Sequence, residues 1–273
     1  MKIIGVGDCV LDEYVWMKRL YPGGNSVNVP VQAKRFGCKR AAYIGILADD
    51  GPGVRFASFL EDEAVDISRL RVGHGPMARN FIHLDESGDR SFVGNNGCDV
   101  VQKMVSLHLN ENDLAFIEDF DLLHTSLHSE IEEILPKTKG RIPLSLDFSD
   151  AYDEEKIRRY APGLAFAFLS AGDKGREAEE CAHLAHQVGT KIVVLTKGEE
   201  GSMIISDGGV HHQKAVSVEV VDTLGAGDAF IASFLVTWGD SKGDIPLAAQ
   251  RASEFAAQKC LHHGAFGTFF PIE

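Results

Sequence analysis

The run Val220-Val221-Asp222-Thr223-Leu224-Gly225-Ala226-Gly227-Asp228-Ala229-Phe230 joins an apolar segment to a glycine-rich turn, and an acid closes that turn where an apolar helix can begin. Gly225 and Gly227 can take dihedrals closed to other residues and let main chain approach a ligand. With Ala226 between them they leave three successive N–H groups near the positive end of a helix, which suits phosphate. Asp228 follows at once, placed to accept a proton from a substrate hydroxyl. A phosphate cradle beside a general base is the minimum for moving a phosphoryl group to an alcohol. A plainer reading has Asp222 capping a turn and Asp228 enriching a helix's first turn.

The elements that would position such a site follow a strand–helix rhythm. Lys2 to Val6 is an apolar strand candidate ending at Gly7, followed by Asp8 and Asp12. Ligands in open α/β sheets gather beyond the carboxyl ends of strands, so these acids stand where a polar substrate could be met. Pro22-Gly23-Gly24-Asn25-Ser26-Val27-Asn28 leads into a helix that runs to about Phe36 and stops at Gly37, with Pro30 expected in its first turn. Ala41 to Leu47 reads as the next strand, and Asp49 or Asp50 as the cap of a helix reaching about Glu63. Further strands are expected at 120–124, 142–148, 164–169 and 191–195, with helices over 174–188 and 246–261. The 191–195 strand is of the buried parallel kind. Residues 71–98 break the rhythm as two β-like runs around a polar turn, a hairpin better suited to a lid than to a central element.

Asp222-Thr223-Leu224-Gly225-Ala226-Gly227-Asp228-Ala229-Phe230 resembles the second signature of the ribokinase-like (PfkB-type) carbohydrate kinases, and 23–28 resembles the first. The resemblance implies a three-layer α/β/α fold with a mostly parallel sheet and a small β lid: one domain at 1–70 and 99–273 carrying the ATP and sugar sites, and a lid region at 71–98. It makes Asp228 the catalytic base and Gly225, Ala226 and Gly227 the anion hole. Asp12 would grip adjacent sugar hydroxyls, Gly23 and Gly24 would give a hydroxyl close access to backbone, and Asn28 would offer a donor and an acceptor. Arg79, Asn80, Arg90, Asn95 and Asn96 are candidates for contacts from the lid or its hinge, Arg90 being the one assigned to the sugar. Thr196, Gly198, Gly201, Thr223, Gly225, Gly227 and Gly264 would line the nucleotide, and Lys197 would attract phosphates if its side chain turns inward.

Asp147-Phe148-Ser149-Asp150, the Gly-Asp start and the short chain resemble the branch of that family that phosphorylates fructoselysine. That branch implies ATP-dependent transfer to a primary 6-hydroxyl, with an amine carried on the sugar's other end and Glu13, Asp85 or Asp89 as acids to meet it. A kinase for an unmodified ketose, a pentose or a nucleoside stays open. Mg2+ is expected with the ATP, but its protein ligands stay open: Asp147 would act through water, and the stretch at 170–177 offers Ser170 with Asp173 or Glu177. His124 and His128 are four apart, but a strand-end setting gives no fixed face and no third ligand is evident, which argues against a metal site; one of them could touch the sugar's non-reacting end.

Composition bounds the partners. The 273 residues, 44% hydrophobic and 25% charged, can bury a substantial core. A formal charge of −13 disfavours a nucleic-acid surface, and no apolar run reaches membrane-spanning length. Five widely spaced cysteines show no zinc or disulfide pattern, which fits reduced thiols in a cytoplasmic protein. The projecting lid strands offer edges through which a homodimer could form.

Overall fold

The computed structural model describes residues 1–84 and 90–272. Its organising element is a nine-stranded sheet in the order 209–213, 202–206, 192–196, 166–170, 144–149, 122–126, 2–6, 40–44 and 65–66. Strands from 65–66 through 192–196 pair in parallel, and the last two turn antiparallel. Successive residues of a strand point to opposite faces. Ile3 accordingly enters one core and Ile4 the other, Phe166 and Phe168 part from Ala167 and Leu169, and Val194 parts from Val193 and Leu195. Such runs must be apolar throughout because helices cover both faces. The Ala226–Asp240 and Ile245–Lys259 helices supply one core, and the Gly51–Asp62, Ile131–Thr138 and Arg176–Gln187 helices the other. This is the ribokinase-like three-layer α/β/α architecture expected above.

The helix after the first glycine pair spans Asn25–Phe36 and ends on Gly37 in the left-handed region, as its sequence predicts. Pro30 lies well past the first turn instead of within it. A proline there cannot donate to the carbonyl of residue 26. Gly5 accommodates the disturbance: a Cβ at Gly5 would stand 2.1 Å from the Ser26 carbonyl oxygen and 2.8 Å from the Pro30 ring. The expected 41–47 strand is broken at Gly45 into Arg40–Ile44 and Ile46–Ala48. Asp50 caps the next helix by accepting from the Gly53 N–H at 2.8 Å, while Asp49 bonds His74.

A second sheet has the order 270–271, 19–23, 10–14, 79–84 and 90–95. The 79–84 and 90–95 strands form the expected hairpin, but the sheet also draws on Val10–Tyr14 and Arg19–Gly23, which pair antiparallel directly after the first strand. The chain thus leaves the main sheet at Gly7, builds the core of the second sheet, and returns to the site at Gly24. All five cysteines are free and all but Cys98 are buried. No helix among the described residues is long and apolar enough to cross a membrane.

His124 lies wholly buried in the main sheet, with Nδ1 3.0 Å from Ser145 Oγ, so it is a core residue and not a sugar contact. Burial lowers its pKa from 6.5 to about 3. Between those values the unfolded chain binds a proton that the native chain refuses, so this residue makes stability fall as pH drops, by about 1.4 kcal/mol per pH unit. Urea unfolding at pH 6 and pH 4 should show that slope in the native protein. In His124→Gln this part of the slope should be gone, and equal slopes would refute the assignment.

Candidate active site

The glycine turn is built from a buried aspartate outward. Asp222 is fully buried; its Oδ1 accepts the Leu224 N–H at 2.8 Å, closing the turn, and its Oδ2 accepts the Gly264 N–H at 2.7 Å and the Tyr14 hydroxyl at 2.5 Å. One carboxylate therefore joins the glycine turn, the segment after the last helix, and the second sheet. Tyr14, Tyr21, Ile82 and Leu224 pack around it as a small apolar cluster. Burial, with the Asp222 carboxylate beside it, pushes the Tyr14 hydroxyl well above the usual phenol range, so it remains a donor.

Gly225 takes φ +80° as the cap of the Ala226–Asp240 helix, and a Cβ there would stand 2.8 Å from Ala265 Cα. Gly227 differs: it is exposed in the first turn, and a Cβ would meet nothing within 4 Å. Nothing in the protein itself therefore requires its lack of a side chain. The Ala226 N–H donates to the Thr223 carbonyl at 3.1 Å, so one of the three N–H groups expected to face a phosphate is engaged in the turn itself. Asp228, two residues into the helix, is buried at 8% exposure, where a helix amino end favours a carboxylate.

The residues expected to meet a sugar reach this turn through the Asn25–Phe36 helix. Asn28 Nδ2 donates to Asp228 Oδ2 at 2.7 Å, across 200 residues of chain. Its Oδ1 is buried without a hydrogen-bond partner among the described residues. One helical turn earlier, Asn25 Nδ2 donates to Asp147 Oδ2 at 2.7 Å. Asp147 Oδ1 accepts the Ser149 N–H at 2.8 Å, and burial raises its pKa. Both its oxygens hold protein donors, so orienting Asn25 is the role this geometry supports. Asp8 is structural: it accepts the Asn25 and Ser26 N–H groups, capping that helix from outside, and also the Ser126 and Ser129 hydroxyls.

Asp12 is buried at 4% exposure, and its Oδ2 would stand 2.2 Å from a Cβ on Gly23, so the carboxylate lies directly over that glycine. Residues two apart on a strand share a face. Asp12 and Tyr14 therefore point the same way, toward the glycine turn that Tyr14 touches. Gly24, at φ +118°, passes so near the Cys9 backbone that a Cβ would stand 2.7 Å from its Cα.

The residues expected to line a nucleotide are less uniform. Thr196 ends its strand and bonds the Leu169 carbonyl at 3.3 Å, and Gly198 opens a short helical turn with open space beside it. Gly201 is demanded by protein: a Cβ there would stand 2.0 Å from the Gln213 carbonyl oxygen. Gly264 likewise makes room for the Tyr21 ring. Lys197 pairs with Glu179 instead of turning toward a phosphate. Thr223 lies in the turn, its carbonyl held by Ala226.

Glu13 pairs with Arg79 at 3.3 Å, and Asn96 accepts the Arg79 N–H and donates to the Met77 carbonyl, tying the end of one strand to the start of the other. Arg90 begins its strand opposite Leu84, its side chain outside the described residues, as are Asp85 and Asp89. Ser170 gives its carbonyl to Tyr152, and Asp173 and Glu177 are exposed. Tyr14 carries no sequence pattern that marks it as a site residue, whereas Asn25 and Asp222 lie inside the two signature stretches, with nothing local to show which partner each takes.

Residues 17–269 match the pfkB family carbohydrate kinases, and the chain belongs to that family as an ATP-dependent carbohydrate kinase. It is 41% identical over 272 residues to the fructosamine kinase FrlD of Bacillus subtilis, covering 99% of this chain and 95% of that one. It is 33% identical over 264 residues to the fructoselysine 6-kinase of Escherichia coli (strain K12), covering 96% and 98%. In fold it is similar to the aminoimidazole riboside kinase of Salmonella enterica, solved with aminoimidazole riboside and an ATP analog, with a TM-score of 0.72 at 20% identity over 97% of this chain and 95% of that one.

Proposed function

We propose that the protein transfers the γ-phosphoryl group of ATP to the primary 6-hydroxyl of a fructosamine such as fructoselysine, giving the sugar 6-phosphate and ADP. The observation that carries the chemistry is the 2.7 Å hydrogen bond from Asn28 to Asp228, which brings the sugar-side turn against the glycine turn. Asp12, with the main chain of Gly23 and Gly24, holds the sugar hydroxyls. The orphaned Asn28 Oδ1 accepts from a hydroxyl, relieving a buried acceptor whose isolation costs about 1–3 kcal/mol. Asp228 takes the proton as the 6-oxygen attacks the γ-phosphorus in line; the bond to the bridging oxygen breaks and ADP leaves. Main-chain N–H groups of the 225–227 turn stabilise the charge on the transferred group.

Thr196, Gly198, Gly201, Thr223 and Gly264 border the nucleotide, Gly201 and Gly264 by shaping backbone. No three His, Cys, Asp or Glu side chains gather as a metal cluster among the described residues. Mg2+ would be carried on the triphosphate with most of its waters and would supply charge neutralisation for the transfer. The second sheet serves as a lid that keeps water from the phosphoryl group. The Arg90–Asn95 strand at the edge of that sheet, with Phe92 and Val93 exposed, supports a homodimer through strand pairing, which a monomer in light scattering would rule out.

The substrate reading is supported by the 41% and 33% identities to a fructosamine kinase and a fructoselysine 6-kinase across nearly the whole chain. Purified protein is assayed with ATP against fructoselysine, fructose, ribose and adenosine. The highest kcat/KM is expected for fructoselysine. Preference for unmodified fructose, ribose or adenosine would overturn the fructosamine assignment while leaving the kinase chemistry standing.

A further inference from the structure

We propose that Lys259 is a positioning residue for phosphoryl transfer, its ammonium acting as a built-in cation that holds the 222–228 turn in the shape that receives the nucleotide. Lys259 is the last residue of the Ile245–Lys259 helix and is buried at 8% exposure. Its Nζ donates to the Asp222 carbonyl at 3.0 Å and to the His262 carbonyl at 3.1 Å. Those two carbonyls belong to the head of the glycine turn and to the segment carrying Gly264, whose N–H the Asp222 carboxylate grips. The ammonium and the carboxylate thus tie the same two segments, one through carbonyls and the other through N–H groups.

Packing alone does not call for this residue. A lysine is almost never buried unless it is paired, and an apolar side chain of similar length would fill the same space without desolvating a charge. A cation near a helix carboxyl end is favourable, but an exposed lysine supplies that effect as well. What burial adds is a fixed tie. The Cys260 carbonyl reinforces it by accepting the Val221 and Asp222 N–H groups at 2.8 and 3.2 Å. In a trans peptide the C=O and the next N–H point in opposite directions. Drawing the Asp222 carbonyl toward the ammonium therefore turns the Thr223 N–H away from it, and sets the entry to the turn that ends on Gly225 and Asp228.

The proposal rests on the phosphoryl-transfer reading but not on which sugar is used. ATP affinity, which needs no sugar, is therefore measured by calorimetry beside kcat with whichever panel sugar the native enzyme phosphorylates. Lys259→Ala should weaken ATP binding about tenfold and lower kcat on the order of 10²-fold, the loss expected from a misplaced reacting group. KM for the sugar should stay near native. Ammonium or methylammonium at millimolar concentration should enter the vacated carbonyl pair and recover a large part of both losses, while leaving the native enzyme unchanged. A folded Lys259→Ala protein with native ATP affinity and kcat would overturn the proposal, and so would losses that amines leave untouched. If that variant folds in neither buffer, Lys259→Met, which keeps the packing of the stem, carries the same two measurements: a tenfold fall supports the assignment and native values overturn it.

Discussion

Replacing Asp228 with Asn should lower kcat by on the order of 10²–10⁴-fold, the range for a positioned general base, with little change in the melting temperature. The amide is nearly isosteric and can still meet Asn28, whose Nδ2 now holds the carboxylate at 2.7 Å. What it loses is the ability to take a proton. ATP affinity should therefore stay close to native, and the loss should fall on turnover with every sugar the enzyme accepts. A purified, folded D228N enzyme with near-native kcat on its best sugar would show that the proton goes elsewhere.

The two glycines of the turn should fail in different ways, although they stand two residues apart. Gly225→Val places a β-branched side chain at φ +80° with its Cβ 2.8 Å from Ala265 Cα. Left-handed dihedrals of this kind cost about 1–3 kcal/mol outside glycine, and the clash adds to that. Loss of stability and loss of activity should come together. Gly227→Val meets nothing within 4 Å, and valine is a better helix former than glycine, so its melting temperature should stay within a few degrees of native. Its side chain should nevertheless obstruct the approaching phosphate, raising KM for ATP and lowering kcat on the order of 10²–10³-fold, as for loss of an oxyanion donor. Thermal melts and ATP kinetics on both variants distinguish the two. A stable, fully active G227V enzyme would mean that the terminal phosphate does not reach this face of the turn.

Asp228, Gly225 and Gly227 are all legible in the amino-acid sequence, because the chemistry proposed for them sits in a short, contiguous stretch. Their roles are tied to backbone conformation and to a helix start, which neighbouring residues dictate. The same holds for the helix ending at Phe36, where Gly37 stops it, and for strands such as Ile192–Thr196, whose unbroken apolar run already implies a sheet covered on both faces. The order of residues was thus sufficient for the layered architecture, the glycine turn and the candidate base.

How those parts are fastened together was settled only by long-range packing. Val10–Tyr14 and Arg19–Gly23 become the centre of the second sheet through partners at 79–84 and 270–271, which no local pattern announces. Tyr14 reaches Asp222, and Asn28 reaches Asp228, across 208 and 200 residues. Lys259 looks like an ordinary helix-terminal cation until its two carbonyl partners are seen. Gly201 matches the nucleotide-side pattern, yet it answers to the Gln213 carbonyl. The reason is common to all of them. A residue's type declares what it can donate, accept or avoid, whereas the partner that satisfies a buried polar group, or crowds a glycine, is chosen by packing of segments far apart in the chain.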